Sequence, residues 1–301
     1  MVYRAVVRRL PGCTEEDSMD CAERRSNPPF GVMHARQVLR TRSTTAYNDV
    51  HSARSGRPGQ RSLSELRPAF DVADMRWRGV VSPMSYSGCV VPGGLPGVRD
   101  VPGLRITKIA LGEFSNNSYI LECTATGERL LIDAATDAPA LLRHLGSRPL
   151  AKVLTTHSHK DHWEALSAVV AGTGAQTLAH PADAPAISCP TDVLVRDGDD
   201  VVVGNVVLRA IHIVGHTLGS IVLAYEEPDG SSHLWTGDCL FPGGVGSSYD
   251  TPDLFEILYG MVVTKIFDVY GDDTWVYPGH GDDTTIGSER PNLMEWERRG
   301  W

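Results

Sequence analysis

One short run, H-x-H-x-D-H at residues 157–162, constrains the fold of this 301-residue chain more than any other feature. It places three imidazoles and a carboxylate, all metal-binding groups, within six residues. The run follows residues 151–154, whose apolar side chains predict a buried strand. In extended backbone His157 and His159 point to the same side, and the following turn can bring Asp161 and His162 to an adjacent position. We therefore expect one loop to serve two metal ions.

Three downstream segments repeat the order of apolar strand, glycine and potential ligand. They are Gly215-His216 after residues 206–213, Gly237-Asp238 after residues 233–235, and Gly279-His280 after residues 274–276. Glycine lets the backbone turn sharply and approach a bound ion closely. A fold that unites these strand ends would complete a site with two metals.

These motifs, with T-T-I-G-S-E at residues 284–289, resemble the metallo-β-lactamase superfamily, and within it the glyoxalase II-like (hydroxyacylglutathione hydrolase-like) hydrolases. The resemblance covers about residues 104–301. It implies an α/β fold, the αββα four-layer sandwich, with the site at one edge between two sheets. It also implies one metal on His157, His159 and His216, a second on Asp161, His162 and His280, and a bridge between them from Asp238.

The local pattern agrees with layered α and β structure. It predicts strands over residues 105–111, 118–122 and 129–132, with a turn at 124–127. It predicts helices over residues 138–145, 163–170, 253–269 and 289–299.

The first 100 residues differ in charge from the remainder. They contain 15 arginines, no lysine and 10 acidic residues, whereas residues 101–301 contain 13 basic and 27 acidic residues, a net charge of −14. We therefore predict an Arg-rich extension of low structure at residues 1–100 and a hydrolase domain at residues 101–301. An extension without a task is favoured over a basic arm for an anionic partner. A third interpretation is that translation begins at Met84.

The implied activity is hydrolysis of a small thioester or ester. Two divalent ions share a water and lower its pKa, which gives a bridging hydroxide that attacks the carbonyl. Asp238 bridges the metals and Asp161 orients the nucleophile, so both are the predicted catalytic carboxylates. The ligand types favour two Zn²⁺ ions, although Fe or Mn suits the same set.

The substrate is expected to be a small molecule. Specificity for glutathione is not favoured, and a thioester of another small thiol or another activated ester is equally compatible with the sequence. Only 21 residues follow His280, too few for the helical domain with which glyoxalase II grips glutathione, and residues 243–249 contain no basic side chain. A lactonase would keep the same ligands. A persulfide dioxygenase would hold a single iron on His157, His216 and Asp238.

Other activities of the superfamily are disfavoured. A β-lactamase is disfavoured because those relatives lack the aspartate at position 238. A nuclease is disfavoured because a net charge of −14 repels phosphates, so nucleic acid is not an expected partner. A metal-free binding protein is the least favoured, since no ligand position is lost.

The remaining signals concern the cellular compartment and residues outside the site. The six cysteines have no paired spacing and are predicted to be reduced thiols, with Cys239 a small buried side chain. No apolar stretch reaches 18 residues, and arginines interrupt residues 1–11. The expectation is a cytoplasmic protein with no membrane partner. His180, His212 and His233 are expected to be structural or exposed.

Overall fold

The structure, a computed structural model, describes residues 86–249 and 251–300. Most of the predicted N-terminal extension and the alternative start at Met84 therefore lie outside the described residues. Strand β1 (Gly97–Val101) crosses the predicted boundary at residue 100 and pairs with β2 (Leu104–Leu111). Tyr86 packs against the core. The packed part of the chain thus begins earlier than the pattern of apolar residues indicated.

Seven strands form the first sheet in their order along the chain. Strands β1 to β4 are antiparallel neighbours, and β4 to β7 are parallel neighbours. Parallel neighbours require crossover connections, which helices α1 (Ala138–Leu145) and α2 (Leu166–Thr173) help to provide. The other strands are β3 (Asn116–Cys123), β4 (Arg129–Ile132), β5 (Lys152–Leu154), β6 (Gln176–Ala179) and β7 (Val193–Leu194).

Six strands form the second sheet, in the order β15-β14-β11-β10-β9-β8. Only the pair β11 and β14 is parallel in it. The strands are β8 (Asp200–Val203), β9 (Val206–Ile213), β10 (Ser220–Glu226), β11 (Ser232–Gly237), β14 (Trp275–Pro278) and β15 (Thr284–Thr285). A hairpin of β12 (Leu240–Phe241) and β13 (Gly244–Val245) follows β11.

Three helices accompany the second sheet. Helix α3 (Pro252–Val262) continues into a π-helical turn, Val263–Phe267, and is followed later by α4 (Ile286–Glu289) and α5 (Leu293–Arg299). Short 3₁₀ turns occur at Lys160–His162, Ala184–Ala186 and Arg290–Asn292. In the described residues, no helix combines the length and apolar character needed to cross a membrane.

Three apolar layers define the architecture. The central layer joins both sheets and includes Leu121 from β3 and Leu223 from β10. A second layer packs Leu141 of α1 against the outer face of the first sheet, and a third packs Leu258 of α3 and Trp296 of α5 against the second sheet. Each fully buried leucine contributes about 1.5–3 kcal/mol of hydrophobic stabilisation. The predicted αββα sandwich is therefore confirmed.

Three predicted helices differ from the structure at their ends. The helix predicted over residues 289–299 is α-helical only from Leu293, because Arg290–Asn292 form a 3₁₀ turn. The helix predicted over residues 163–170 begins later, at Leu166, because the backbone first makes the 3₁₀ turn Lys160–His162 and Trp163 adopts a φ of −141°. The Trp163 indole N–H instead donates to the carbonyl of Ser158, 2.8 Å away. The helix predicted over residues 253–269 ends as an α-helix at Val262. The helix predicted over residues 138–145 agrees with α1, which Asp137 caps through the N–H of Ala140.

The carboxyl ends of five strands meet at one edge of the sandwich. Backbone hydrogen bonds fix this meeting: the N–H of Ile221 in β10 donates to the carbonyl of Thr156 after β5 at 2.8 Å, and the N–H of Asn117 in β3 donates to the carbonyl of Gly279 after β14 at 2.7 Å. Each of these bonds links a strand of one sheet to the loop after a strand of the other. The loops after β4, β5, β9, β11 and β14 are thereby brought together.

Candidate metal centre

The structure brings the seven predicted ligands together at this edge. Three groups have ligand atoms that all lie within 4.8 Å of one another. The groups are His157, His159 and His216; Asp161, His162 and His280; and His157, His162 and Asp238. The first two groups are the predicted ligand sets of the two metals, and the third connects them.

Asp238 lies between the two sets. Its Oδ2 is 3.6 Å from Nε2 of His216 and 4.0 Å from Nε2 of His157, while it is 3.4 Å from Nε2 of His280. Its Oδ1 is 3.4 Å from Nε2 of His162. The carboxylate therefore faces histidines from both sets, as a bridging ligand must.

In the first set, each imidazole has one nitrogen engaged by a neighbouring protein atom. Oγ1 of Thr156 lies 3.0 Å from Nδ1 of His157, and the carbonyl of Ser247 lies 2.9 Å from Nδ1 of His216. The hydroxyl of Tyr249 lies 2.6 Å from Nε2 of His159. The opposite nitrogen of each ring is left for a metal, Nε2 for His157 and His216 and Nδ1 for His159.

In the second set, each imidazole also has one nitrogen bonded to a protein atom. Oδ2 of Asp133 lies 2.8 Å from Nδ1 of His162, and the carbonyl of Phe114 lies 3.0 Å from Nδ1 of His280. Their Nε2 atoms lie 3.1 Å apart. Both rings thus direct Nε2 towards one point, beside the Asp161 carboxylate, whose Oδ2 is 3.5 Å from Nε2 of His280.

Burial and charge set the protonation of the imidazoles. Burial lowers the pKa of His157 well below its ordinary value, and it also lowers the pKa of His159 and His216. Burial acts in the same direction on His162 and His280. There the nearby carboxylates outweigh it, chiefly Asp238, and the pKa of both histidines is raised, that of His162 strongly.

The Asp238 carboxylate responds in the opposite sense. Burial raises the pKa of its carboxyl group, but the positive charge of His162 outweighs burial and holds the pKa well below its ordinary value. The group is therefore an anion in a buried position, where an uncompensated charge is costly. Such an anion is well suited to bind a cation.

The residues present fit a pair of divalent ions. Asp238 Oδ1 is buried and has no hydrogen-bond partner within the described residues, which is uncommon for a buried carboxylate oxygen unless it is a ligand. A Cβ at Gly279 would collide with Asp238 Oδ1 and lie 2.8 Å from Cε1 of His162. The glycine therefore keeps the space between these two side chains open.

Three residues that hydrogen-bond to the loops of the site were not anticipated from the sequence. Asp133, at the end of β4, has a positive φ of 57° and accepts hydrogen bonds from the N–H and hydroxyl of Thr156. Asn116 donates from Nδ2 to the carboxylate and carbonyl of Asp161 at 3.0 and 3.1 Å. Asp183 accepts from the loops of both His157 and His216. None of the three carries a sequence signal beyond a polar residue near a strand end or within a loop.

His180, His212 and His233 lie outside the three ligand groups. The rings of His180 and His212 stack with their centres 3.9 Å apart. His233 bonds to Glu227 at 2.6 Å and to the hydroxyl of Tyr277 at 3.0 Å. Cys239, predicted to be buried, has no exposed surface, and burial raises the pKa of its thiol.

Comparison with known proteins identifies relatives of the chain. A family model described as the metallo-beta-lactamase superfamily matches residues 111–285. A hydroxyacylglutathione hydrolase of Polaromonas sp. (strain JS666) is 34% identical over 171 residues, which cover 56% of this chain and 62% of that protein. This chain thus spans less than two thirds of that relative's length.

Two solved structures have a similar fold. The crystal structure of ETHE1 from Myxococcus xanthus has a TM-score of 0.55 and 28% identity, and covers 64% of this chain and 84% of that one. The structure of TTHA1623 in a di-iron-bound form has a TM-score of 0.51 and 26% identity, and covers 61% of this chain and 96% of that one. The family match spans more than half of the chain and includes all seven converging residues, from His157 to His280. The chain belongs to the metallo-beta-lactamase superfamily.

Proposed function

We propose that this protein is a metal-dependent hydrolase that cleaves a small thioester or ester with two divalent ions. The proposed ligands are His157, His159 and His216 for one ion, and Asp161, His162 and His280 for the other, with Asp238 shared. The observation that carries the proposal is the position of the Asp238 carboxylate, within 3.4–4.0 Å of Nε2 atoms from both sets. The similarity to a hydroxyacylglutathione hydrolase supports the reaction class.

The chemistry needs both the ions and the residues that hold them. When bound, a pair of divalent ions supplies a Lewis acid for the carbonyl and lowers the pKa of water, which gives a nucleophile at neutral pH. Asp161 is half-exposed and is oriented by Asn116, so its carboxylate is available to orient the attacking water. Asp238 keeps its negative charge between the two sets. No serine or cysteine nucleophile is required.

Zinc is the proposed metal, because five imidazoles and two carboxylates match its preferred ligands. Iron and manganese bind similar sets, and one similar structure was solved in a di-iron-bound form. Metal content per chain, measured by plasma mass spectrometry on full-length protein purified without added metal or chelator, tests this assignment. Two ions per chain are expected.

The substrate is proposed to be a thioester or ester whose leaving group is not glutathione. The segment from Gly243 to Tyr249 contributes no cation for a glutathione carboxylate, and Tyr249 places its ring 5.6 Å from that of His159. Hydrolysis of a panel of acyl thioesters, with glutathione and neutral thiols as leaving groups, measures this preference. Higher kcat/KM for glutathione thioesters would contradict it.

A second candidate is a mononuclear-iron persulfide dioxygenase with iron on His157, His216 and Asp238. The relevant atoms support it, since Nε2 of His157 lies 3.3 Å from Nε2 of His216 and both face Asp238 Oδ2. Two imidazoles and one carboxylate are a common iron site. A lactonase on all seven ligands remains a variant of the first proposal, and lactones in the substrate panel test it.

The variant His280→Ala separates the two candidates. In a dinuclear hydrolase it should remove one of two metals and most of the activity. In a mononuclear dioxygenase it should leave one iron and oxygen consumption with a persulfide. The matched control is His144→Ala, because His144 is an exposed histidine on α1 away from the ligand groups. The control should match wild type in metal content and activity.

A further inference from the structure

The carboxylate of Asp183 joins the two loops that carry the first ligand set. Its Oδ2 accepts a hydrogen bond from the N–H of Ser158 at 2.8 Å and another from the hydroxyl of Thr217 at 2.6 Å. Ser158 lies between His157 and His159, and Thr217 follows His216. One carboxylate oxygen therefore accepts a hydrogen bond from each of the two loops that contain the three histidines.

The position of Asp183 is tightly enclosed. The side chain belongs to a residue with only 3% of its surface exposed. Its backbone is fixed by a hydrogen bond from its N–H to the carbonyl of His180 at 3.1 Å. A Cβ at Gly219 would lie 2.8 Å from Cγ of Asp183, so the chain leaves space for the carboxylate where a side chain would collide with it.

Asp183 also connects the two sheets. Ser158 follows β5 of the first sheet, and Thr217 follows β9 of the second. The separation of His157 and His216, whose Nε2 atoms are 3.3 Å apart, depends on how these two loops sit against each other. Two buried hydrogen bonds to one carboxylate oxygen fix that separation through position.

We propose that Asp183 is a positioning residue for the first metal. It binds no ion itself, because it lies outside the three ligand groups, and it acts by holding His157, His159 and His216 at the spacing that an ion requires. The inference rests on the proposed metal centre. Outer partners of metal ligands commonly change metal affinity about 10- to 100-fold when removed.

Asp192 offers a matched control. Its Oδ2 accepts from the N–H and the hydroxyl of Thr177 at 2.9 and 3.0 Å, so it forms the same two kinds of bond at the same sheet. Thr177 lies within β6 and carries no ligand. Replacing Asp192 thus removes two similar hydrogen bonds but leaves the loops that contain the three histidines unchanged.

The test measures Zn²⁺ affinity of the full-length protein by competition with a chromophoric chelator. Wild type should bind two ions. Asp183→Ala should weaken one of the two affinities about 10- to 100-fold, whereas Asp192→Ala should change neither. Asp183→Asn keeps an oxygen that can accept both bonds, and should stay within about threefold of wild type if position rather than charge is what matters.

Two double variants show which ion depends on Asp183. In His280→Ala, which disrupts the second set, the added Asp183→Ala should weaken the remaining ion. In His159→Ala, which disrupts the first set, it should have no effect. If Asp183→Ala does not fold, as judged by urea unfolding of the metal-free protein, Thr217→Val removes one of the two bonds and should cause a smaller loss in the same direction.

Several results would overturn the inference. They are unchanged affinities in Asp183→Ala, an equal loss in Asp183→Asn, or a loss confined to the His159→Ala background. A wild-type protein that binds no ion would instead contradict the proposed function. The two failures are therefore distinguishable.

Discussion

Oδ2 of Asp133 lies 2.8 Å from Nδ1 of His162, and the same oxygen accepts the hydroxyl of Thr156 at 2.8 Å. The carboxylate therefore fixes both the ring orientation of one proposed ligand and the backbone that leads into His157. Because the Asp133 backbone has a positive φ, this arrangement is set by the local fold as well as by the side chain.

Replacing Asp133 with alanine should weaken the second metal about 10- to 100-fold, because His162 would lose the partner that directs Nε2 towards the site. Chelator competition measures the change. Asp133→Asn can still accept from Thr156 and should keep more of the fold, although it holds His162 less strongly. Equal affinities in wild type and Asp133→Ala would contradict this role.

Replacing Asp238 with alanine should abolish turnover while the fold is retained. Among the described residues, Asp238 is the one carboxylate that faces both ligand sets, so kcat/KM should fall at least about 100-fold, the scale of losing one electrostatic stabiliser. Hydrolysis assays measure the loss, and circular dichroism checks the fold. An active variant would refute the shared-ligand role.

The convergence of the seven proposed ligands was predictable from the sequence because each lies next to a recognisable local signal. His157 to His162 form a dense run after a strand, and His216, Asp238 and His280 each follow a glycine. The residues next to each proposed ligand in the sequence were therefore enough to identify it. The αββα class followed from the resemblance and from the alternation of strands and helices.

The residues that hydrogen-bond to the proposed ligands or to their loops were not predictable in this way. Asp133 and His162 are 29 positions apart, and Asp183 and Thr217 are 34 apart, so only the tertiary fold brings each pair together. Strand β1 was missed for a related reason. Residues 92–97 are rich in glycine and proline, and β1 is held by pairing with β2 rather than by its own apolar pattern.

The stability of the metal-free protein should depend on pH through His162. Burial lowers the pKa of His162, but Asp238 and Asp133 outweigh it and the folded-state pKa lies well above 6.5. A raised folded pKa gives stability that is fully present below the unfolded value of about 6.5 and is lost as pH rises through the folded value.

The free energy of unfolding of chelator-treated wild type and His162→Gln should therefore differ most near pH 6. The difference should shrink as the pH rises towards 9. Urea unfolding at several pH values measures it. A difference that grows with pH would mean that His162 is neutral in the folded metal-free protein.

Replacing Lys108 with methionine should destabilise the fold strongly, because its ammonium group is completely buried. Nζ of Lys108 donates to Asp283 Oδ1 at 2.6 Å and to the carbonyls of Gly88 and Gly281 at 2.8 and 2.7 Å. Removing one partner of a buried ion pair leaves the other charge uncompensated, which costs about 3–5 kcal/mol.

The matched control is Lys152→Met, since the ion pair of Lys152 with Glu128 is partly exposed and should be worth less than about 1 kcal/mol. Gly281 directly follows His280, so the loss of Lys108 should also loosen one proposed ligand and lower metal affinity. Urea unfolding of metal-free protein separates the first effect, and chelator competition measures the second. Similar free energies of unfolding for the two methionine variants would mean that Asp283 finds enough compensation from the hydroxyl of Tyr86 and the indole of Trp275, which both donate to its Oδ2.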